Sequence, residues 1–103
     1  MEGQGQLNTE MIEFDRLEAP PALDDALLDQ LNTHIKGKHW AMSFQCVTMI
    51  RSICKFHPQH TPNLFTHYGP VLLDLFTHGA TQLVKNILRL LIEVSRTGEQ
   101  VEV

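Results

Sequence analysis

Residues 36–58 read KGKHWAMSFQCVTMIRSICKFHP, and the predicted architecture follows mainly from them. From Trp40 to Phe56 the apolar side chains fill about half of a helical wheel. Pro58 then ends the helix. A helix with so wide an apolar face needs neighbours on more than one side. We therefore predict stacked helical hairpins in which this second helix is the most buried, with a narrow polar strip that comprises Gln45, Thr48, Arg51, Ser52 and Lys55.

Helix one is predicted over residues 22–35, where leucine and isoleucine recur every four residues and Gly37 marks the end. Helix four is predicted over residues 80–96. It carries a wide apolar arc, a polar face that includes Asn86, and Gly98 as its stop. No β-hairpin signal is present, so the sequence favours an all-α chain.

Helix three is predicted to start with Thr61 as its N-cap and Pro62 as its first helical residue. Pro70 cannot donate a backbone hydrogen bond, which predicts a kink or a break at Gly69-Pro70. Gly79 ends the helix. About four main helices then form two hairpins of about 38 and 36 residues, the length of helical solenoid units.

The segments outside the helices are predicted from composition. Residues 1–21 form an acidic flexible leader or a packing arm, with residues 1–10 disordered and the apolar side chains of Met11–Leu17 on the helical body. Residues 22–97 form one helical domain, and residues 98–103 a frayed tail. Residues 1–25 carry seven acids and one base, whereas residues 31–92 carry six bases and one acid. This split hints at an acidic partner for the body.

Several function classes are disfavoured. The bases are not interleaved with aromatic residues as in a nucleic-acid site. The apolar runs are too short to span a membrane, and no signal peptide is visible, so a cytoplasmic protein is expected. Cys46 and Cys54 lie two helical turns apart, too far for a disulfide, and are expected to be buried thiols.

No catalytic motif stands out. The six histidines are scattered and do not form a convergent ligand set. There is no glycine-rich phosphate loop and no nucleophile motif. We therefore predict a protein without catalytic activity, cofactor or metal. The alternative from another class is a small metal-dependent or hydrolytic protein that uses the histidines.

The two turns inside the hairpins are the remaining candidate site. Trp40 stands in the first turn beside Lys36 and Lys38, and an exposed tryptophan flanked by lysines is a plausible hot spot for a protein partner. The alternative is that Trp40 folds back into the core. The second turn contains Thr81 and Gln82.

The pattern Leu28-x-x-Leu31-Asn32-x-x-x-x-Gly37-Lys38-His39-Trp40 resembles the TOG domain, a HEAT-repeat array that binds tubulin. The likeness is to the CLASP group and to ciliary and centrosomal microtubule regulators. It continues through Val71–Leu75 and the helix from Gln82 to Val94, and covers roughly residues 22–97. The resemblance implies an all-α fold of HEAT-like stacked helical hairpins, an α-solenoid fragment.

The resemblance also implies a partner and a site. In that family the turns inside the successive repeats line up in a row that holds tubulin, often through a tryptophan in the first turn and basic residues in the others. By that motif the partner is tubulin or another acidic protein surface, in the cytoplasm, at the cytoskeleton, cilium or centrosome. The alternative is a helical scaffold or self-association module, a possible homo-oligomer through helix four, without tubulin binding. The expected contact residues are Lys36, Lys38, His39, Trp40, Thr81, Gln82 and Lys85.

Overall fold

The computed structural model of the chain describes residues 10–20, 25–35 and 39–101. In these residues the fold is all-α and contains no strand, which confirms the predicted fold class. The elements are a short 3-10 helix at Phe14–Arg16, α1 at Asp25–Ile35, α2 at Trp40–Phe56, a 3-10 turn at Pro58–His60, α3 at Thr61–His78 and α4 at Thr81–Val101.

Several predicted helix boundaries need correction. Thr61 is the first residue of α3 and not its N-cap, since His60 holds that position without a side-chain cap. A break at Pro70 is also wrong, because α3 continues through it. Pro70 has no N–H to pair with the carbonyl group four residues earlier in the helix. Because Pro70 is exposed, water can solvate that carbonyl group instead. Likewise α4 runs past Gly98 to Val101.

Gly79 does end α3, as predicted. Its N–H donates a 2.6 Å hydrogen bond to the Leu75 carbonyl oxygen, and its backbone is extended rather than left-handed. A side chain on Gly79 would collide with that same oxygen. The tight turn into α4 therefore depends on the missing side chain and not on a positive φ angle.

The helices form two hairpins that lie side by side. In the first hairpin, Ser43 of α2 donates a 2.9 Å hydrogen bond to the Ile35 carbonyl oxygen. The Cys46 sulfur lies 4.0 Å from the Leu31 carbonyl oxygen. In the second, α3 and α4 are joined by the turn at Gly79. Helices α2 and α4 run parallel, because Asn86 reaches the start of α2 while Glu93 meets Arg51 further along. Both helices therefore begin at the same end of the molecule.

Helix α2 lies at the centre of the core, as predicted. Its Val47 and Ile53 have no exposed surface, and Phe44 and Ile50 are 1% exposed. Apolar side chains of the other three helices surround it: Leu27, Leu31 and Ile35 from α1, Leu64, Tyr68 and Leu72 from α3, and Leu83, Ile87 and Leu90 from α4.

The predicted polar strip of α2 is wrong at Arg51 and Ser52, which are buried, and Asn86 of α4 is buried as well. The Arg51 Nε donates a 2.9 Å hydrogen bond to one Glu93 oxygen, and Nη2 donates to the other. Its Nη1 donates a 3.0 Å bond to the Asn86 side-chain oxygen. Arg51 is buried because α4 and the N-terminal segment cover this face of α2.

Residues 10–20, here called the arm, pack on α2 and α4. Leu17 is 4% exposed. The Lys55 Nζ donates a 2.7 Å hydrogen bond to the Phe14 carbonyl oxygen and lies 4.9 Å from the centre of the Phe14 ring. Glu13 accepts a 2.7 Å bond from Arg89 of α4. The arm is thus held by an apolar anchor, a partly buried ammonium and a surface ion pair.

Candidate functional site

The end of the molecule where α2 and α4 begin carries the predicted turn site. Trp40 is the first residue of α2 and Thr81 the first residue of α4. The Trp40 side chain is 42% exposed and meets the buried Phe44 edge to face, with ring centres 6.2 Å apart. Trp40 therefore rests on the core through one edge and presents the rest of its surface to solvent.

The other predicted site residues are only partly described. His39, Thr81 and Lys85 are exposed and belong to the first turns of α2 and α4 or lie next to them. Gln82 is half-buried and already engaged with another group. Lys36 and Lys38 lie outside the described residues. The parallel packing thus brings His39 and Trp40 to the same end as Thr81.

The same end has an electrostatic character of its own. The first turns of α2 and α4 read WAMS and TQLV, and neither contains an acidic residue. Parallel helices that begin together direct two positive dipole ends toward one surface. Because neither first turn carries an acidic side chain of its own, these ends favour an anionic group. We call His39, Trp40, Thr81 and Lys85 the turn edge.

A second candidate surface lies along the second hairpin. Leu73 of α3 is 66% exposed, and Leu88 and Leu91 of α4 are 42% and 43% exposed. Phe76 of α3 is also exposed. On both helices these exposed residues lie next to the buried face, which contains Leu72 on α3 and Ile87 on α4. We call this surface the open flank.

A groove of about 220 Å³ lies on the first hairpin. We call it the first-hairpin groove. His34 lines it, and the Nδ1 of this residue is buried without a hydrogen-bond partner. Its other lining residues are Leu27, Gln30 and Leu31 of α1 and Met42, Gln45, Cys46 and Met49 of α2.

A more polar groove of about 590 Å³ separates α1 from α3. The His67 ring nitrogen and the Asn32 side-chain oxygen meet across it at 3.1 Å. Tyr68 contributes a buried hydroxyl without a partner. This groove lies between the two hairpins, on the side of the molecule away from the arm.

The alternative of a metal or nucleophile site finds little to build on. Among the described residues no three His, Cys, Asp or Glu side chains come together as a set that could hold a metal ion. Burial raises the pKa of the Cys46 thiol to about 11 and also raises the pKa of Cys54. Both thiols are free and buried, as predicted. Neutral buried thiols are weak nucleophiles and weak ligands.

Comparison with known proteins does not assign the chain to a family. No protein-family model matches it, and no curated protein or solved structure shows significant similarity. The TOG resemblance and its site residues therefore stay predictions. Within the described residues, no helix has both the length and the apolar character needed to cross a membrane.

Sequence reasoning missed the polar cluster of Arg51, Asn86 and Glu93. On a helical wheel each of them belongs to a polar face, and nothing in the local pattern shows that these faces meet. No local signal marks Arg51, because it stands beside Ser52 in the predicted polar strip of α2.

Proposed function

We propose that this chain is a non-catalytic protein-binding module whose turn edge contacts an acidic protein surface, with tubulin as the lead partner. The observation that carries the proposal is the position of Trp40. Its ring is anchored against Phe44 yet 42% exposed, at the end where two helix N-termini meet. Tryptophan is one of the residue types that are enriched at interface hot spots.

The partner's chemistry follows from the surroundings of Trp40. Two helix N-termini whose first turns hold no acidic residue, together with the exposed Lys85, favour negative charge at the turn edge. The choice of tubulin rests on the resemblance of the Trp-bearing turn to TOG domains, and an acidic protein surface is the more general form of the proposal. Such a contact is steered by charge, so association slows as salt rises.

Co-sedimentation with microtubules at low and moderate salt tests the proposal. Trp40→Ala is expected to weaken binding by about 2 kcal/mol or more, the loss typical of a hot spot. Phe56→Ala is the matched control, because Phe56 is 41% exposed at the opposite end of the same helix. Thermal melts of both variants report whether each keeps its fold.

Three outcomes decide the matter. Loss of binding in Trp40→Ala alone supports the turn edge. Equal loss in both variants, or none in either, rules it out as the contact surface. If the wild-type chain does not pellet with microtubules even at low salt, tubulin is rejected as the partner.

A further inference from the structure

The groove between α1 and α3 contains a polar group that the described residues leave without a partner. Tyr68 lines this groove and is only 3% exposed. Its hydroxyl is buried, and no described residue forms a hydrogen bond with it. A buried polar group without a partner is costly, so native proteins keep few of them. A molecule bound in the groove would supply the missing partner.

A carboxylate belongs to the same groove. Burial raises the pKa of Tyr68 most, the Cys46 thiol adds to the rise, and the Asp29 carboxylate of α1 adds further. The Tyr68 hydroxyl is therefore close enough to Asp29 to sense its charge. Asp29 itself lines the groove and is exposed. The groove thus combines one carboxylate that is open to solvent with one buried hydroxyl.

The groove offers hydrogen-bond acceptors more than donors. The Asn32 side-chain oxygen can only accept, so its 3.1 Å bond to His67 uses the hydrogen on Nε2 of that ring. The second ring nitrogen of a neutral His67 is then an acceptor as well. Among the described residues that line the groove there is no lysine and no arginine. Such a lining suits a ligand that brings both hydrogen-bond donors and a positive charge.

The size and the side chains of the groove favour an organic cation over a metal ion. Asp29, His60 and His67 all line it, but no three His, Cys, Asp or Glu side chains in the described part of the chain form a set that could hold a metal ion. The volume of about 590 Å³ is in the range of small-molecule sites. Leu28 and Leu64 add apolar surface for the body of such a ligand.

We propose that the groove between α1 and α3 binds a small organic cation, a primary ammonium group on an apolar or aromatic body. The ammonium group donates to the Asp29 carboxylate and to the Tyr68 hydroxyl oxygen, and the body of the ligand packs on Leu28 and Leu64. The net charge of −4 on the chain adds a general attraction for cations. This site is separate from the turn edge and does not depend on the function proposed for it.

Titration with three small probes of similar shape tests the proposal. Benzylammonium is the positive probe, benzyl alcohol the neutral one and benzoate the negative one. Binding is followed by the methyl NMR signals of Leu28 and Leu64 at pH 8, above the usual titration range of histidine. Benzylammonium is expected to shift these signals with a Kd of about 1 mM, as befits so small a ligand. The other two probes should bind at least about fivefold more weakly, because neither brings a positive charge.

Two variants identify the groups that select the cation. Asp29→Asn keeps the shape of the side chain and removes its charge. It should weaken benzylammonium binding at least about fivefold and leave benzyl alcohol binding unchanged, which separates a lost charge from a damaged groove. Asp74→Asn is the matched control, because Asp74 is an exposed carboxylate of α3 outside the groove, and it should bind all probes like the wild type.

The second variant, Tyr68→Phe, removes only the hydroxyl. It should weaken benzylammonium binding severalfold. Without a probe it should melt at a temperature no lower than that of the wild type, because the hydroxyl has no hydrogen bond to lose.

Four results would overturn the proposal. Equal affinity for the three probes shows that the groove selects apolar shape alone. Unchanged benzylammonium binding in Asp29→Asn removes the carboxylate from the site. A Tyr68→Phe chain that melts well below the wild type without a probe shows that the hydroxyl is already satisfied in the fold. Leucine methyl signals that do not shift at probe concentrations far above the expected Kd reject the site itself.

Discussion

Helix α4 buries part of its polar side and exposes part of its apolar side. On the side toward α2 and the arm, Asn86 has no exposed surface and the Glu93 side chain is 11% exposed. On the side toward the open flank, Leu88 and Leu91 are more than 40% exposed. Burial in this chain therefore depends on which neighbour covers a helix face and not on the residues of that face alone.

The covered side is stable only because its polar groups are paired. The Arg51 side chain has no exposed surface, and its guanidinium finds acceptors in Glu93 and Asn86. The Asn86 amide in turn donates to the Phe44 carbonyl oxygen at 3.0 Å and to Thr48 at 2.9 Å. The cluster therefore joins the two hairpins by hydrogen bonds in addition to apolar packing.

Removing the centre of that cluster is expected to have the largest effect on stability. Arg51→Ala removes the guanidinium from the Glu93 carboxylate and from the Asn86 side-chain oxygen, and breaking a buried pair in this way costs about 3–5 kcal/mol. Chemical denaturation measures the loss. Arg89→Ala is the matched control, since its pair with Glu13 is on the surface and should matter little.

The cluster also predicts strong coupling between its members. Glu93→Ala in the Arg51→Ala background should cost much less than Glu93→Ala alone. If the two losses simply add, or if Arg51→Ala is no worse than Arg89→Ala, the cluster does not stabilise the hairpin interface.

The second prediction compares a leucine in a buried position with a leucine in an exposed position. Leu17 of the arm is 4% exposed, whereas Leu73 of the open flank is 66% exposed. Leu17→Ala is expected to cost about 2–4 kcal/mol because it empties a filled site. Leu73→Ala should stay within about 0.5 kcal/mol. Thermal melts at a concentration where the chain is monomeric give both values, and equal values would mean that the arm does not add to stability.

The sequence predicted the helices better than it predicted their contacts. The bounds of α2 are correct because Trp40, the apolar wheel and Pro58 are all local signals. The break at Pro70 is wrong because an exposed proline leaves its unpaired carbonyl group to water. The stop at Gly98 is wrong because glycine permits a helix end but does not require one.

The candidate site shows the same limit. That Trp40 lies at a turn follows from its neighbours, but its 42% exposure depends on the distance and angle to Phe44. That the starts of α2 and α4 share one end follows from the parallel packing, which Asn86 and Arg51 establish. Polarity along the chain placed both of these residues on solvated faces, so the sequence alone gave no access to the packing that they determine.

The third effect, which appears only at high pH, concerns a buried group that, unlike Arg51, has no opposite charge beside it among the described residues. The Cys46 thiol lies 4.0 Å from the Leu31 carbonyl oxygen, and burial raises its pKa from 9.0 to about 11. The folded chain therefore holds this proton more tightly than the unfolded chain. Its contribution to the free energy of unfolding is complete below pH 9 and is lost as the pH rises through about 11.

Denaturation of the wild type and of Cys46→Ala at several pH values between neutrality and the folded pKa measures this contribution. Burial also raises the pKa values of Cys54 and Tyr68, so both proteins should lose stability at high pH. The wild type should lose more, because it alone must ionise the buried Cys46 thiol. Parallel curves for the two proteins would show that the Cys46 thiolate is solvated in the fold. Ionising Cys46 without a partner charge would then cost nothing, and the contrast with the paired Arg51 would not hold.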